Sequence, residues 1–126
     1  MLSIGRGSKI YLVAGPTDMR KSFDTLAAVV RDVINADPLS GHLFVFCNRR
    51  RDRLKALVWE SSGFWLLAKR LEQGTFVWPD VSQTKVEQSP AELAALLEGL
   101  ELSGRRHKRF MGLKRNQQYG NKVLYI

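Results

Sequence analysis

Two strand-like runs that flank a cluster of arginines constrain the fold of this chain more than any other feature. Residues 42–47 and 54–59 are rich in aromatic, aliphatic and β-branched side chains, and residues 48–53 between them read Asn-Arg-Arg-Arg-Asp-Arg. This arrangement predicts a β-hairpin with a basic tip. The basic side chains of the tip are Arg49, Arg50, Arg51, Arg53 and Lys55. Because like charges repel and the sequence places a single acid, Asp52, among them, we expect the tip to face a polyanion.

Three further runs read as short strands. Residues 9–14, 64–71 and 75–78 are rich in β-forming side chains, whereas residues 80–88 are polar and read as a loop. The connections between residues 42 and 78 have hairpin length. The sequence therefore predicts a mostly antiparallel sheet in the form of a meander.

Two segments carry helical patterns. Apolar side chains recur at helical spacing from Met19 to Ile34, which predicts a helix over residues 18–34 with Thr17 or Asp18 as its cap. Ser-Pro-Ala-Glu at residues 89–92 followed by a leucine stripe predicts a second helix that ends near residue 100. The predicted fold class is α+β, with the first helix on one face of the sheet and the C-terminal helix at an edge.

The positive charge of the chain is unevenly distributed. The chain has 20 basic and 12 acidic residues, a net charge of +8. Residues 103–126 contain 7 of the basic residues and no acid, so residues 1–102 hold 13 bases against 12 acids, a net charge of +1. We predict one domain over residues 1–102 and a basic tail over 103–126. The tail either docks through its last four residues as a strand or is disordered.

Composition argues against several classes of function. One cysteine, Cys47, and two distant histidines exclude a disulfide framework and disfavour a zinc site. The sequence contains neither a nucleophile elbow nor a phosphate-binding loop. The absence of a secretory signal and of long apolar runs predicts a cytoplasmic protein without a membrane partner. We expect no cofactor, no metal and no catalytic residues.

Basic residues elsewhere in the chain extend the predicted site. Arg20 and Lys21 open the first predicted helix, where a positive charge opposes the helix dipole, and Lys69 and Arg70 end a predicted strand. Arginine binds phosphate through its planar fork of donors, so nucleic acid is the expected polyanion. If the tip makes five phosphate contacts, a plot of the logarithm of the DNA-binding constant against the logarithm of the salt concentration should have a slope of about −4 to −5. The complete predicted DNA-binding set is Arg49, Arg50, Arg51, Arg53, Lys55, Lys69, Arg70, Arg20 and Lys21.

Several motifs together resemble one family. Residues 15–24 read Gly-Pro-Thr-Asp-Met-Arg-Lys-Ser-Phe-Asp, residues 37–46 read Asp-Pro-Leu-Ser-Gly-His-Leu-Phe-Val-Phe, and the arginine segment and Phe-Val-Trp-Pro at 76–79 follow. Over about residues 9–102 the chain is similar to TnpB, the small accessory protein encoded by the second open reading frame of the sixty-six-type insertion sequences.

The resemblance implies a non-catalytic accessory factor in DNA transposition. Its partners would be the DNA of the transposon ends, the transposase subunit of the same element, or both. Two alternatives stay open: an adaptor that binds the transposase without touching DNA, and a metal-dependent nuclease that uses Asp18 or Asp24. The sequence leaves the oligomeric state open.

Overall fold

A five-stranded sheet carries both helices of the described chain. The computed structural model describes residues 7–99, so the predicted tail at 103–126 lies outside the described residues. The elements are, in chain order, β1 (Ile10–Pro16), α1 (Phe23–Asp32), β2 (Leu43–Cys47), β3 (Arg53–Glu60), β4 (Gly63–Arg70), β5 (Lys85–Gln88) and α2 (Pro90–Leu97).

The sheet is mixed rather than antiparallel throughout. Its strand order is β4-β3-β2-β1-β5, and β1 runs parallel to β2, with Tyr11 beside Phe44. All other neighbours are antiparallel. The α+β class is therefore confirmed, but the meander extends only over β2, β3 and β4. The prediction of a mostly antiparallel meander was wrong for β1, because α1 carries the chain back across one face before β2 begins, and such a crossover produces parallel strands.

Two segments differ from their predicted state. Residues 75–78 form no strand, although Phe76 and Trp78 are buried there. These side chains pack on the sheet instead, and the Trp78 indole Nε1 donates to the Val13 carbonyl at 3.0 Å. Conversely, the polar residues 85–88 form β5, which pairs with β1. An edge strand needs main-chain pairing more than an apolar face, so its polar composition resembles that of a loop.

The two faces of the sheet are covered by different groups. On one face, Leu26 and Val30 of α1 pack with Phe44, Phe46 and Leu57. On the other face, the loop side chains Phe76 and Trp78 join Leu96 of α2 against the sheet. All five residues of β2 are buried as a result, which confirms that this strand is central. No helix within residues 7–99 is long and apolar enough to cross a membrane.

The two helix starts show how far capping residues can be read from sequence. Ser89 caps α2 as predicted: its Oγ accepts from the Glu92 amide at 3.0 Å, and its own amide donates to Glu92 Oε1 at 2.7 Å. In contrast, α1 begins at Phe23 rather than at residue 18. The Asp18 carboxylate accepts instead from the Arg20 backbone amide and guanidinium. That local pairing holds residues 18–21 outside the helix.

Candidate functional site

The arginine tip lies at the end of the sheet where several segments meet. β1 and β2 are parallel, so their carboxyl ends lie side by side, and the Thr17 amide donates to the Cys47 carbonyl at 2.7 Å. β3 leaves from the same end, and β4, antiparallel to it, finishes there. The Leu71 amide then donates to the Asp52 carbonyl at 2.8 Å. The topology thus places the loop after β1, the β2–β3 turn and the end of β4 together.

Asn48 holds the turn that presents the arginines. Its Oδ1 accepts from the backbone amides of Asp52 and Arg53, both at 3.0 Å, and its Nδ2 donates to Asp52 Oδ1 at 2.8 Å. The main chain adds bonds between Asn48 and Arg53 and between Arg51 and Asn48, each at 3.0 Å. Sequence reasoning did not assign Asn48 a role. The available signal was an asparagine at the start of a tight connection, a position where its side chain commonly bonds the backbone.

Arg51 adopts an unusual backbone conformation. Its φ is 64°, in the left-handed region that costs a non-glycine residue about 1–2 kcal/mol. The Arg51 carbonyl accepts from the Phe76 amide at 2.6 Å, so the loop that contains the buried Phe76 holds the Arg51 backbone in place. The turn then distributes its basic side chains between two clefts.

The larger cleft has a volume of about 540 Å³ and lies between the turn and the loop after β1. Its charged lining residues are Asp18, Arg49, Arg50, Asp52, Arg53 and Arg70. Arg53 and Arg70 are direct cross-strand neighbours in it, an arrangement that is unfavourable for like charges. A smaller cleft of about 220 Å³ on the other side of the turn is lined by Arg51, Trp78, Asp80 and Val81, and Arg49 borders both clefts.

The described arginines fall into two groups. Arg20, Arg31 and Arg70 each bond a carboxylate: Asp18 at 2.6 Å, Asp32 at 3.0 Å and Glu72 at 2.9 Å. The guanidinium groups of the other four have no hydrogen bond or ion pair with any residue of the range 7–99, and all four residues are exposed. These four are Arg49, Arg50, Arg51 and Arg53. The unused guanidinium donors of the described arginines are therefore concentrated at the tip.

Of the three remaining predicted site residues, Lys55 and Lys69 have structural partners for their side chains, whereas Lys21 is bonded within residues 7–99 only through its backbone. The Lys55 Nζ donates to the carbonyls of Met19 at 2.9 Å and Lys21 at 2.8 Å, so it fixes the loop after β1. The Lys69 Nζ donates to the Leu97 carbonyl at 2.8 Å, at the carboxyl end of α2. Lys69 neighbours the buried Leu54 on the face opposite Arg70 and is not brought into the larger cleft. DNA contacts by these lysines stay predictions.

Three ionisable groups near the tip have shifted pKa values. The Arg20 guanidinium, through its side-chain hydrogen bond, lowers the pKa of the Asp18 carboxyl to about 2. Hydrogen bonds from Ser82 lower the pKa of Asp80. Burial raises the pKa of the Cys47 thiol to about 12, so this thiol is protonated at neutral pH.

The acidic residues do not converge in the described part of the chain. No three histidine, cysteine, aspartate or glutamate side chains between residues 7 and 99 lie close enough to hold a metal ion. Asp18 and Asp24, named for the nuclease alternative, line different cavities. The geometry thus shows a cluster of exposed arginines and no assembled carboxylate cluster in this range.

Comparison with known proteins gives a family match over most of the chain. Residues 8–107 match the family described as IS66 Orf2 like protein. Two proteins of Sinorhizobium fredii (strain NBRC 101917 / NGR234) are similar. The uncharacterized protein y4hO is 40% identical over 101 residues, 80% of this chain and 88% of that protein. The uncharacterized protein y4jC is 38% identical over 101 residues, 80% of this chain and 86% of that protein. No solved structure matches.

Proposed function

Because the chain belongs to the IS66 Orf2-like family, we propose that it is a non-catalytic accessory protein of DNA transposition that binds DNA through its arginine tip. The family match confirms the resemblance recognised from the motifs. One observation carries the DNA-binding part of the proposal: the guanidinium groups of the four tip arginines make no hydrogen bond or ion pair within residues 7–99, whereas the other described arginines are paired with carboxylates.

Phosphate fits this arrangement chemically. A guanidinium fork donates two parallel hydrogen bonds to a phosphate, and a polyphosphate chain relieves the repulsion between neighbouring arginines such as Arg53 and Arg70. Arg49, Arg50 and Arg53 contact phosphates from the larger cleft, and Arg51 contacts them from the smaller one. Since these are contacts to the DNA backbone, they fix position and supply affinity with little base specificity.

The paired basic residues have secondary roles in this proposal. Arg20 and Arg70 exchange their carboxylate partners for phosphate at the rim of the site. Lys55 acts as a positioning residue, because its ammonium holds the loop that forms one wall of the larger cleft. Its two carbonyl bonds leave a single N–H for any other partner.

A matched pair of variants tests the proposal. Arg50→Ala and Arg31→Ala each remove one exposed positive charge, but Arg31 pairs with Asp32 and lies in α1, away from the tip. In fluorescence anisotropy with labelled duplex from the element's end, Arg50→Ala should weaken binding and reduce the salt slope by about 1, and Arg31→Ala should change neither. Equal losses in the two variants would show that net charge rather than the tip governs binding.

A second candidate function is docking on the transposase. Beside the smaller cleft, Val77 is 45% exposed and Val81 is 75% exposed, so apolar surface adjoins Arg51. Arginine next to apolar surface is common in protein interfaces. An adaptor would retain purified transposase in a pull-down after nuclease treatment. Val81→Ala, which removes apolar surface without adding a charge beside Arg51, would weaken that retention while DNA affinity stays unchanged. Loss of the transposase on nuclease treatment alone would refute the adaptor.

A further inference from the structure

We infer that two copies of this chain associate through the outer edge of β4, aligned antiparallel to form one continuous sheet. Within residues 7–99, β4 ends the strand order and pairs with β3 alone. It is eight residues long, from Gly63 to Arg70. This inference does not depend on the proposed DNA binding, because the surface and the contacts are different.

Within residues 7–99, one row of hydrogen-bonding groups on the backbone of β4 pairs with no other strand. The Leu71 amide donates towards β3, to the Asp52 carbonyl. In an antiparallel pair, alternate residues direct their amides to the partner strand and the others direct them away. Counting back from Leu71, the amides of β4 that face away from β3 are those of Arg70, Ala68, Leu66 and Phe64. These groups are the template for another strand.

The sequence of this edge contains little that blocks pairing. Residues 64–68 read Phe-Trp-Leu-Leu-Ala, with neither charge nor proline, and Trp65 is 47% exposed. Exposed edge strands are usually protected by charges, proline, bulges or short length. The opposite edge shows that protection: β5 has four residues and includes Lys85 and Glu87. The contrast identifies β4 as the edge suited to pairing.

The charges at the two ends of β4 select a second copy in antiparallel alignment. Lys69 and Arg70 lie at the carboxyl end, where Glu72 pairs with Arg70 and the charge of Lys69 stays in excess, and the turn before β4 follows Glu60. Antiparallel pairing centred on Leu66 or Leu67 brings the basic end of each copy beside the Glu60 turn of the other, whereas parallel pairing would align the basic ends. It also places the two arginine tips at opposite ends of the joint sheet, which limits their repulsion.

Sedimentation velocity on the full chain, from about 10 µM to about 500 µM, tests the association. The mass should rise from 14.3 kDa towards twice that value. A chain that stays monomeric throughout overturns the inference without affecting the proposed DNA binding.

Amide hydrogen exchange by NMR tests the edge itself, in the same samples. The amides of Phe64, Leu66 and Ala68 should exchange at least about tenfold more slowly in the dimer than in the dilute monomer. A dimer without this protection uses another surface, and protection already complete in the monomer means that other residues of the chain cover the edge. Either result overturns the inference.

Two variants with the same charge change complete the test. Ala68→Lys places a charge on the β4 edge, and Ala94→Lys places it at an exposed position of α2. Ala68→Lys should keep the chain monomeric, and Ala94→Lys should dimerise like the wild type. If both dimerise equally well, the edge is not the interface. If Ala68→Lys fails to fold, the wild-type exchange measurement still decides.

Discussion

The amide side chain of Asn48 should stabilise the fold measurably, although it carries no charge. Asn48→Ala removes three hydrogen bonds, two to the Asp52 and Arg53 amides and one to the Asp52 carboxylate. A typical hydrogen bond contributes about 0.5–1.5 kcal/mol, and water can replace part of this contribution at the exposed Arg53. We therefore expect a loss of about 2 kcal/mol in the free energy of unfolding.

Urea denaturation followed by tryptophan fluorescence measures this loss. If the free energy of unfolding falls by about 2 kcal/mol per M of urea, the urea concentration at the unfolding midpoint should be about 1 M lower for Asn48→Ala than for the wild type. Arg49→Ala changes the neighbouring exposed residue, whose side chain makes no hydrogen bond within residues 7–99, and should stay within about 0.5 kcal/mol of the wild type. A midpoint for Asn48→Ala within about 0.2 M of the wild type would refute this account of the turn.

Three shorter predictions follow from individual groups. The Asp18 carboxyl should titrate near pH 2 when followed by NMR, and Arg20→Ala should return its titration midpoint towards the ordinary pKa of 3.8. Because the pKa is lowered in the folded state, the stabilisation from this pairing is fully present above pH 3.8 and is lost as the pH falls through about 2. Cys47, buried and with its pKa raised to about 12, should resist alkylation at pH 8 until urea unfolds the chain. Gly15→Ala should destabilise the fold by about 1–2 kcal/mol in urea titrations, because the φ of Gly15 is +77° and the new Cβ would lie 2.8 Å from Val81 Cγ1. Adding Val81→Ala to this variant should recover only part of the loss, since it removes the close contact but not the backbone strain.

Sequence patterns predicted those parts of the fold that depend on local signals. The side chains of β2 are apolar on both faces of the strand, which predicted a central position in the sheet. The capping box at Ser89 predicted the start of α2. The arginine turn was recognisable because charges cluster between two strand-like runs. The parallel pairing of β1 and β2 was not predicted, because the other connections have hairpin length and only the helix between these two strands indicates a crossover.

Other features depend on contacts between distant segments and leave little local signal. Phe76 and Trp78 resemble a strand in sequence, yet they are a loop that covers the sheet. The residues of β5 are polar because main-chain pairing with β1, rather than an apolar face, makes them a strand.

The same limit applies to the site. Sequence treated Lys55 and Lys69 as equivalent to the tip arginines. Their bonding partners, Met19 and Leu97, are 36 and 28 residues away along the chain. The partners of these two lysines thus depend on the path of the chain and not on the local pattern, whereas the arginine–carboxylate pairs join residues only one or two positions apart.

The salt dependence of DNA binding tests the central claim most directly. The full chain is titrated with duplex DNA over a series of salt concentrations, beside a variant in which the four tip arginines are alanine. Any contribution from residues 103–126 is common to both proteins and cancels in the comparison. If the four arginines make four phosphate contacts, the slopes of log binding constant against log salt concentration should differ by about 3.6 between the two proteins, and the wild type should have the steeper slope. Equal slopes for the two proteins would contradict the assignment of DNA binding to the tip.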